Sequence, residues 1–232
     1  MSNDFDMFDL HPQVLQAVTD LGYEVPTPIQ ERAIPALLAG RDVLGQAQTG
    51  TGKTAAFALP LLHRLEADAH GVQGLILTPT RELALQVSKA IYEYGRLRGV
   101  RVLAIYGGQS YDRQISRLER GVDVVVGTPG RMLDLIHRGV LDLSAVRYLV
   151  LDEADEMLSM GFIEDIEAIL QETPGERQTA LFSATLPDPV RQLAERYMRA
   201  PETIVVNPER LTVAETEQRY YLVYEEDKLA AL

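Results

Sequence analysis

Six short apolar runs lie between residues 42 and 182, and a turn or loop and then a helical stretch recur after them. They span residues 42–45, 74–77, 102–106, 122–126, 148–151 and 179–182. The runs are nearly continuous in Val, Ile and Leu rather than alternating with polar residues. That pattern suits strands covered on both faces, as in a parallel sheet between helices. The intervening segments 82–94 and 163–170 carry apolar residues at helical spacing. This alternation predicts an α/β, doubly wound domain: a mostly parallel sheet sandwiched by helices. Ligands of such sheets sit beyond the carboxyl ends of the strands, so the loops after the runs are where functional residues should lie.

Residues 10–38 read as two helices split by Gly22-Tyr23-Glu24-Val25-Pro26-Thr27-Pro28, where the prolines enforce an extended break and Pro28 suits a helix start. A short strand is expected at 203–206, a polar stretch at 207–217, another strand at 220–224 and a helix start at 227. The last unit has nothing after it to pack on. The expected division is therefore one domain over 1–207, with an N-terminal segment at 1–40, and a linker plus the first fragment of another domain over 208–232. There is no cysteine, so disulfides and thiolate metal sites are excluded. The acidic start MSNDFDMFDLHP has no basic region or apolar run of a leader, and no stretch has the roughly 18 apolar residues of a membrane helix. A cytoplasmic protein is expected. The formal net charge of −12 argues against binding nucleic acid by broad electrostatic attraction.

The segment Ala47-Gln48-Thr49-Gly50-Thr51-Gly52-Lys53-Thr54 follows the first run and opens a helix. Its GKT ending matches the phosphate-binding loop, with Ala47 where the general pattern has its first glycine. Glycines let backbone N–H groups wrap around phosphates, and the helix N-terminus adds unpaired donors. Lys53 would reach the β- and γ-phosphates and Thr54 would ligate Mg²⁺. The apolar stretch 146–151 ends in Asp152-Glu153-Ala154-Asp155. Beside a phosphate loop, Asp152 is expected to hold Mg²⁺, partly through water, and Glu153 to act as general base on the attacking water. Asp155 is expected to link this loop to the Ser183-Ala184-Thr185 turn. Taken alone, an acidic turn is usually a solvated surface; its pairing with the phosphate loop reverses that reading.

With these residues in view, the chain resembles the DEAD-box helicases. AQTGTGKT, DEAD at 152–155 and SAT at 183–185 are similar to the family's motifs I, II and III. GYEVPTPIQ at 22–30 resembles the Q motif, and Phe5 stands at the expected distance for the family's upstream aromatic. Pro79-Thr80-Arg81-Glu82-Leu83-Ala84 resembles motif Ia, Gly107-Gly108 the glycine doublet, and Thr128-Pro129-Gly130-Arg131 motif Ib. The resemblance covers nearly the whole chain. LDEADEMLSMGF, with AERYM later, is most similar to the bacterial stand-alone members. Nothing resembles the second domain's HRxGRxxR, and Ile136-His137-Arg138-Gly139 does not match it.

The resemblance implies a RecA-like P-loop NTPase domain that binds ATP, and RNA across a cleft shared with a second RecA-like domain. It implies that Gln30 reads adenine with its amide, that Phe5 stacks on the base, and that Tyr23 is a second aromatic of that pocket. The residue-level alternative for both rings is core packing or a helix-end contact. Gln48, Thr49, Gly50, Thr51, Gly52, Lys53 and Thr54 would hold the phosphates. Pro79, Thr80, Arg81, Gly108, Thr128, Gly130 and Arg131 would hold the RNA backbone, largely without regard to sequence, since helix N-termini, threonines and a few arginines can bind phosphates without a broad basic surface. Asp155, Ser183 and Thr185 would couple hydrolysis to strand separation; the two hydroxyls would also suit a cap for the helix near Pro187. The four histidines have no ligand spacing and read as surface or packing residues. The function expected is an RNA-dependent ATPase that locally separates short duplexes. The rivals are a nucleotide-gated RNA clamp and a DNA helicase. A small-molecule kinase would leave Gln30, TPGR and SAT unexplained.

Overall fold

The computed structural model describes residues 4–66 and 69–206. Seven strands form one all-parallel sheet: β1 Val43–Gln46, β2 Gly74–Leu77, β3 Val102–Ile105, β4 Val124–Gly127, β5 Tyr148–Asp152, β6 Gln178–Ser183 and β7 Glu202–Val205. Their spatial order is β3-β4-β2-β5-β6-β1-β7. All six expected runs became strands with ends shifted by no more than two residues, and the expected strand at 203–206 became β7. The readings of 208–232 as a linker and the start of another domain fall outside the described residues. Among the described residues, no helix is long and apolar enough to cross a membrane.

Strand residues alternate between two cores. Ile76, Val124, Val126, Val150, Ala180 and Phe182 face one layer, built with α1 Pro12–Asp20, α2 Pro28–Leu38, α3 Lys53–Arg64 and α4 Arg81–Gly95. Leu75, Leu77, Val125, Leu149, Leu151 and Leu181 face the other, which α6 Pro129–His137, α7 Ala154–Ser159, α8 Ile163–Gln171 and α9 Asp188–Tyr197 cover. Burial on both faces is why the runs lack polar alternation. Each large aliphatic residue withdrawn from water contributes roughly 1.5–3 kcal/mol, so the packing of the helices on both faces of the sheet is the main source of stability. A shorter helix, α5 Tyr111–Glu119, lies at the β3 edge and buries only Gln114.

Local chemistry fixes where the helices begin. At α2, Thr27 is the N-cap, Pro28 begins the helix, and Gln30 Oε1 accepts the Thr27 N–H at 2.9 Å. At α4, Thr80 Oγ1 accepts the Leu83 N–H at 3.2 Å. Buried Asp42 accepts the backbone N–H groups of Thr179 at 2.8 Å and Arg199 at 2.7 Å, tying β1 to β6 and to the approach of β7.

Candidate nucleotide and nucleic-acid site

The strand order divides the carboxyl edge of the sheet in two. β5, β6 and β1 are neighbours, and they deliver the DEAD, SAT and GKT loops to one half. β3, β4 and β2 are neighbours on the other half, and deliver the Gly108, Thr128–Arg131 and Pro79–Arg81 loops. Residues far apart in sequence are thus brought together because every strand points the same way.

In the phosphate loop, Gly50 and Gly52 have φ of +83° and +90°. A side chain is strained at both, and a Cβ on Gly52 would lie 2.4 Å from Gln30 Nε2. Ala47, the departure from the glycine pattern, is a buried strand-end residue whose N–H donates to the Ser183 carbonyl at 3.0 Å; a methyl group is accommodated there. Gln48, Thr49 and Gly50 are exposed, while Thr51 is buried and its hydroxyl donates to the Gln48 carbonyl at 2.7 Å. Lys53 is only 6% exposed, and its Nζ has no hydrogen-bond partner. A buried ammonium without a partner is costly, so this position calls for an anion.

Asp152 ends β5 and is 2% exposed, with Oδ1 also lacking a partner. Burial pushes its carboxyl up to about 6, against the pull of Lys53 and helped by the charge of Glu153. Glu153 caps α7 in the left-handed conformation, φ 55° and ψ 52°. That costs a non-glycine residue about 1–2 kcal/mol. Its side chain reaches the phosphate loop, where the Thr49 hydroxyl donates to Glu153 Oε1 at 3.2 Å. Asp155 Oδ2 accepts from Thr185 twice, from N at 2.9 Å and Oγ1 at 2.7 Å, and the Asp155 N–H donates to Ser183 Oγ at 3.1 Å. Burial pushes the Asp155 carboxyl up, but the hydrogen bonds from Thr185 and Ser183 outweigh it and hold the group below its ordinary value. The expected link between the two loops is therefore three hydrogen bonds.

Gln30, 2% exposed, bridges the N-terminal segment to the phosphate loop: Oε1 accepts from Thr27, and Nε2 donates to the Gly52 carbonyl at 3.1 Å. Phe5 lies in the 3-10 turn Asp4–Phe8, fully buried, edge-on to Phe8 at 5.7 Å and Tyr23 at 5.9 Å. No face of its ring is exposed in this arrangement. Tyr23 is half-buried and shares a 2.7 Å hydroxyl contact with Tyr94 of α4.

On the other half, Arg81 is exposed and its guanidinium lies 4.8 Å above the Tyr106 ring, near Gly108. Gly127 permits the close approach of β3 and β4: a Cβ would fall 1.9 Å from the Ile105 carbonyl oxygen, which accepts the Thr128 N–H at 3.0 Å. Pro129 and Gly130 open α6, with Thr128 as its N-cap. Arg131 Nη1 donates to the Gln109 carbonyl at 2.9 Å and Gln114 Oε1 at 3.0 Å, and its guanidinium lies 3.9 Å over the Tyr111 ring. Pro79 lies in the β2–α4 loop, beside the Thr80 cap. Sequence reasoning missed Gln109, Tyr111 and Gln114, which hold Arg131 in place. The signal was available: Tyr111 and Gln114 stand three apart in the first turn of a helix, and so share one face of it.

Comparison with known proteins agrees with this geometry. The family model for DEAD/DEAH box helicases matches residues 27–193. An ATP-dependent RNA helicase CshA of Listeria monocytogenes is 52% identical over 98% of this chain and 44% of its own length. The ATP-dependent RNA helicase DeaD of Klebsiella pneumoniae is 53% identical over 96% of this chain and 35% of its own. A crystal structure of a DEAD box protein from the hyperthermophile Methanococcus jannaschii superposes with a TM-score of 0.85 at 42% identity, covering 98% of this chain and 61% of that one. The chain thus spans less than half the length of these curated relatives. Its fold is that of the RecA-like domains of such structures, and the chain belongs to the DEAD/DEAH box helicase family.

Proposed function

We propose that this chain is the ATP-binding first domain, residues 1–207, of an RNA-dependent ATPase that separates short RNA duplexes locally. The observation that carries the reading is the pair of orphaned buried groups, Lys53 Nζ and Asp152 Oδ1, at adjoining loops. They fit a triphosphate with its divalent cation: the ammonium takes phosphate oxygens, and the carboxylate holds the metal. Thr54 and Asp152 are the protein's contributions to Mg²⁺, the latter partly through water. Among the described residues no three carboxylates or histidines gather around one point, which suits a cation completed by phosphate and water. When bound, Mg²⁺ neutralises charge developing on the transferred phosphoryl group.

The remaining roles follow from the placement of each side chain. Glu153, held by Thr49 beside the phosphate loop, accepts the proton of the attacking water. Backbone groups of Gln48, Thr49, Gly50, Thr51 and Gly52 wrap the phosphates. Gln30 uses one N–H and one lone pair internally, which leaves one of each for a base. Adenine offers a donor beside an acceptor, N6 and N7, whereas guanine offers two acceptors at the same edge. Tyr23 is the accessible aromatic of this pocket; stacking by Phe5 requires its 3-10 turn to open. The relatives' names specify RNA, and Pro79, Thr80, Arg81, Gly108, Thr128, Gly130 and Arg131 are proposed to hold its backbone. Asp155, Ser183 and Thr185 transmit between the two halves. A second RecA-like domain in the whole protein supplies arginines to the γ-phosphate, and the setting is cytoplasmic.

Calorimetric titration of this chain with ATP and Mg²⁺ tests the site. Lys53→Ala removes a buried charged contact, and affinity should fall about 10- to 100-fold. Unchanged affinity would contradict the phosphate assignment. RNA against DNA stimulation of turnover, in a protein carrying both domains, separates an RNA helicase from a DNA helicase. Nucleotide-controlled RNA retention without strand separation would identify a clamp instead.

A further inference from the structure

The β3 edge carries charge that the proposed nucleotide and RNA loops leave unused. α5 presents Arg113 and Arg117 on its outer face, and Arg120 follows at its C-cap. The spacing of four and then three residues aligns them in one row along the helix. All three are exposed, and none lies within ion-pair distance of a carboxylate among the described residues. Like charges at this spacing repel by a few tenths of a kcal/mol. Even with Asp112 and Glu119 on the same helix, and in a chain of net charge −12, the row forms no ion pair among the described residues.

The three arginines line a groove of about 570 Å³. Val102 and Ala104 of β3 form its floor, and Leu85 of α4 lies across from α5. One end is set by Tyr106 and Gln109, the residues on which Arg81 and Arg131 rest. The groove therefore opens from the loops proposed to hold RNA and runs down the sheet edge. Asp112 is the one carboxylate among its lining residues.

We propose that the groove extends the RNA track: a single-stranded flank leaving the Gly108 and Arg131 loops follows α5, its phosphates meeting Arg113, Arg117 and Arg120. This rests on the RNA reading above. From Arg113 to Arg120 the helix rises about 10 Å, which matches about three phosphates at the ~3.4 Å rise of a stacked strand. The contacts add affinity and salt dependence without sequence preference. The apolar floor gives the bases a surface to rest on.

The test is fluorescence anisotropy with labelled oligouridines: one just long enough to span the loops, and others extended by about five nucleotides at either end. The wild-type chain should bind one extended oligomer more tightly than the short one. The variant Arg113→Gln/Arg117→Gln/Arg120→Gln should bind the short oligomer as wild type does and lose the gain from extension. Its slope of log K against log salt on the extended RNA should fall by about 2, from 0.7 per phosphate contact. Arg117→Gln alone should lose about a third of that slope, with an unchanged melting temperature as the check on folding. No gain from extension in the wild type, or a gain that survives in the triple variant, overturns the proposal. So does an oligoglutamate that binds the wild type and not the variant while RNA length has no effect, since the groove would then serve an acidic peptide. If Arg81→Ala and Arg131→Ala leave binding of the short RNA intact, the RNA reading itself fails, which is a distinct result.

Discussion

Asp155→Ala removes both hydrogen bonds that Thr185 makes to the DEAD loop, and the cost can be worked from the contacts. Each runs to a carboxylate, at 2.7 and 2.9 Å, and shielded bonds of this kind are worth about 1.5–3 kcal/mol. Thr185 is exposed, so water competes and the value falls towards that of a surface interaction. A total of about 1–2 kcal/mol is expected, which in a domain of this size lowers the melting temperature by roughly 2–8 °C. Asp155 also lies in the first turn of α7, where a negative charge adds a few tenths of a kcal/mol. Thr185→Ala separates the two contributions, since it removes the hydroxyl donor and leaves that charge in place; about half the shift is expected. The pH dependence follows from the lowered carboxyl. The unfolded chain protonates first, near pH 3.9, so the contribution is full above that value and is lost as pH falls through the lower folded value. Thermal melts followed by circular dichroism from about pH 7 to pH 3 measure this. An unshifted Asp155→Ala melt at neutral pH, or a gap to wild type that stays constant down to about pH 3, would refute the reasoning.

Glu153→Gln, in a protein carrying both domains, should lower turnover by about 10²–10⁴-fold and leave ATP affinity within a factor of a few, as read by steady-state kinetics beside titration; normal turnover would remove Glu153 from the base role. Gly127→Ala drives a methyl group into the Ile105 carbonyl and should cost about 3 kcal/mol or more, visible as a melting temperature lower by roughly 6 °C or more; a wild-type melt would mean that β3 and β4 part easily there. His63 Nδ1 accepts the His11 N–H at 3.0 Å, and burial, with the charge of Arg64, lowers its ring's proton affinity. The unfolded chain therefore takes up that proton first. Wild type should lose stability as pH falls below about 6.5, whereas His63→Asn, which keeps an acceptor, should lose less; parallel pH profiles in denaturant melts would contradict this.

Much of the fold could be read from sequence because its strands are buried on both faces, which leaves apolar runs at 74–77, 124–126 and 148–151. The loops of the site were equally readable, since glycine, lysine and carboxylates at strand ends have few structural uses together. What escaped depended on tertiary contact. For Phe5 the sequence left base stacking and core packing both open, because an aromatic in a short polar segment suits either; its contacts with Phe8 and Tyr23 needed the structure. The left-handed Glu153 is invisible because it belongs to the tight turn that joins β5 directly to α7. The support of Arg131 by Gln109, Tyr111 and Gln114 depends on α6 opening beside the β3–α5 loop, a contact over about 20 residues that no local pattern marks.

The central claim is that Gln30 and the phosphate loop together form an adenine-nucleotide site. Titration of the chain with ATP and with GTP, each with Mg²⁺, in wild type and Gln30→Ala, tests it most directly. The account predicts that wild type prefers ATP by about tenfold or more, and that the variant loses the preference along with much of its ATP affinity. Equal binding of the two nucleotides by wild type, or a preference that survives in Gln30→Ala, would contradict it.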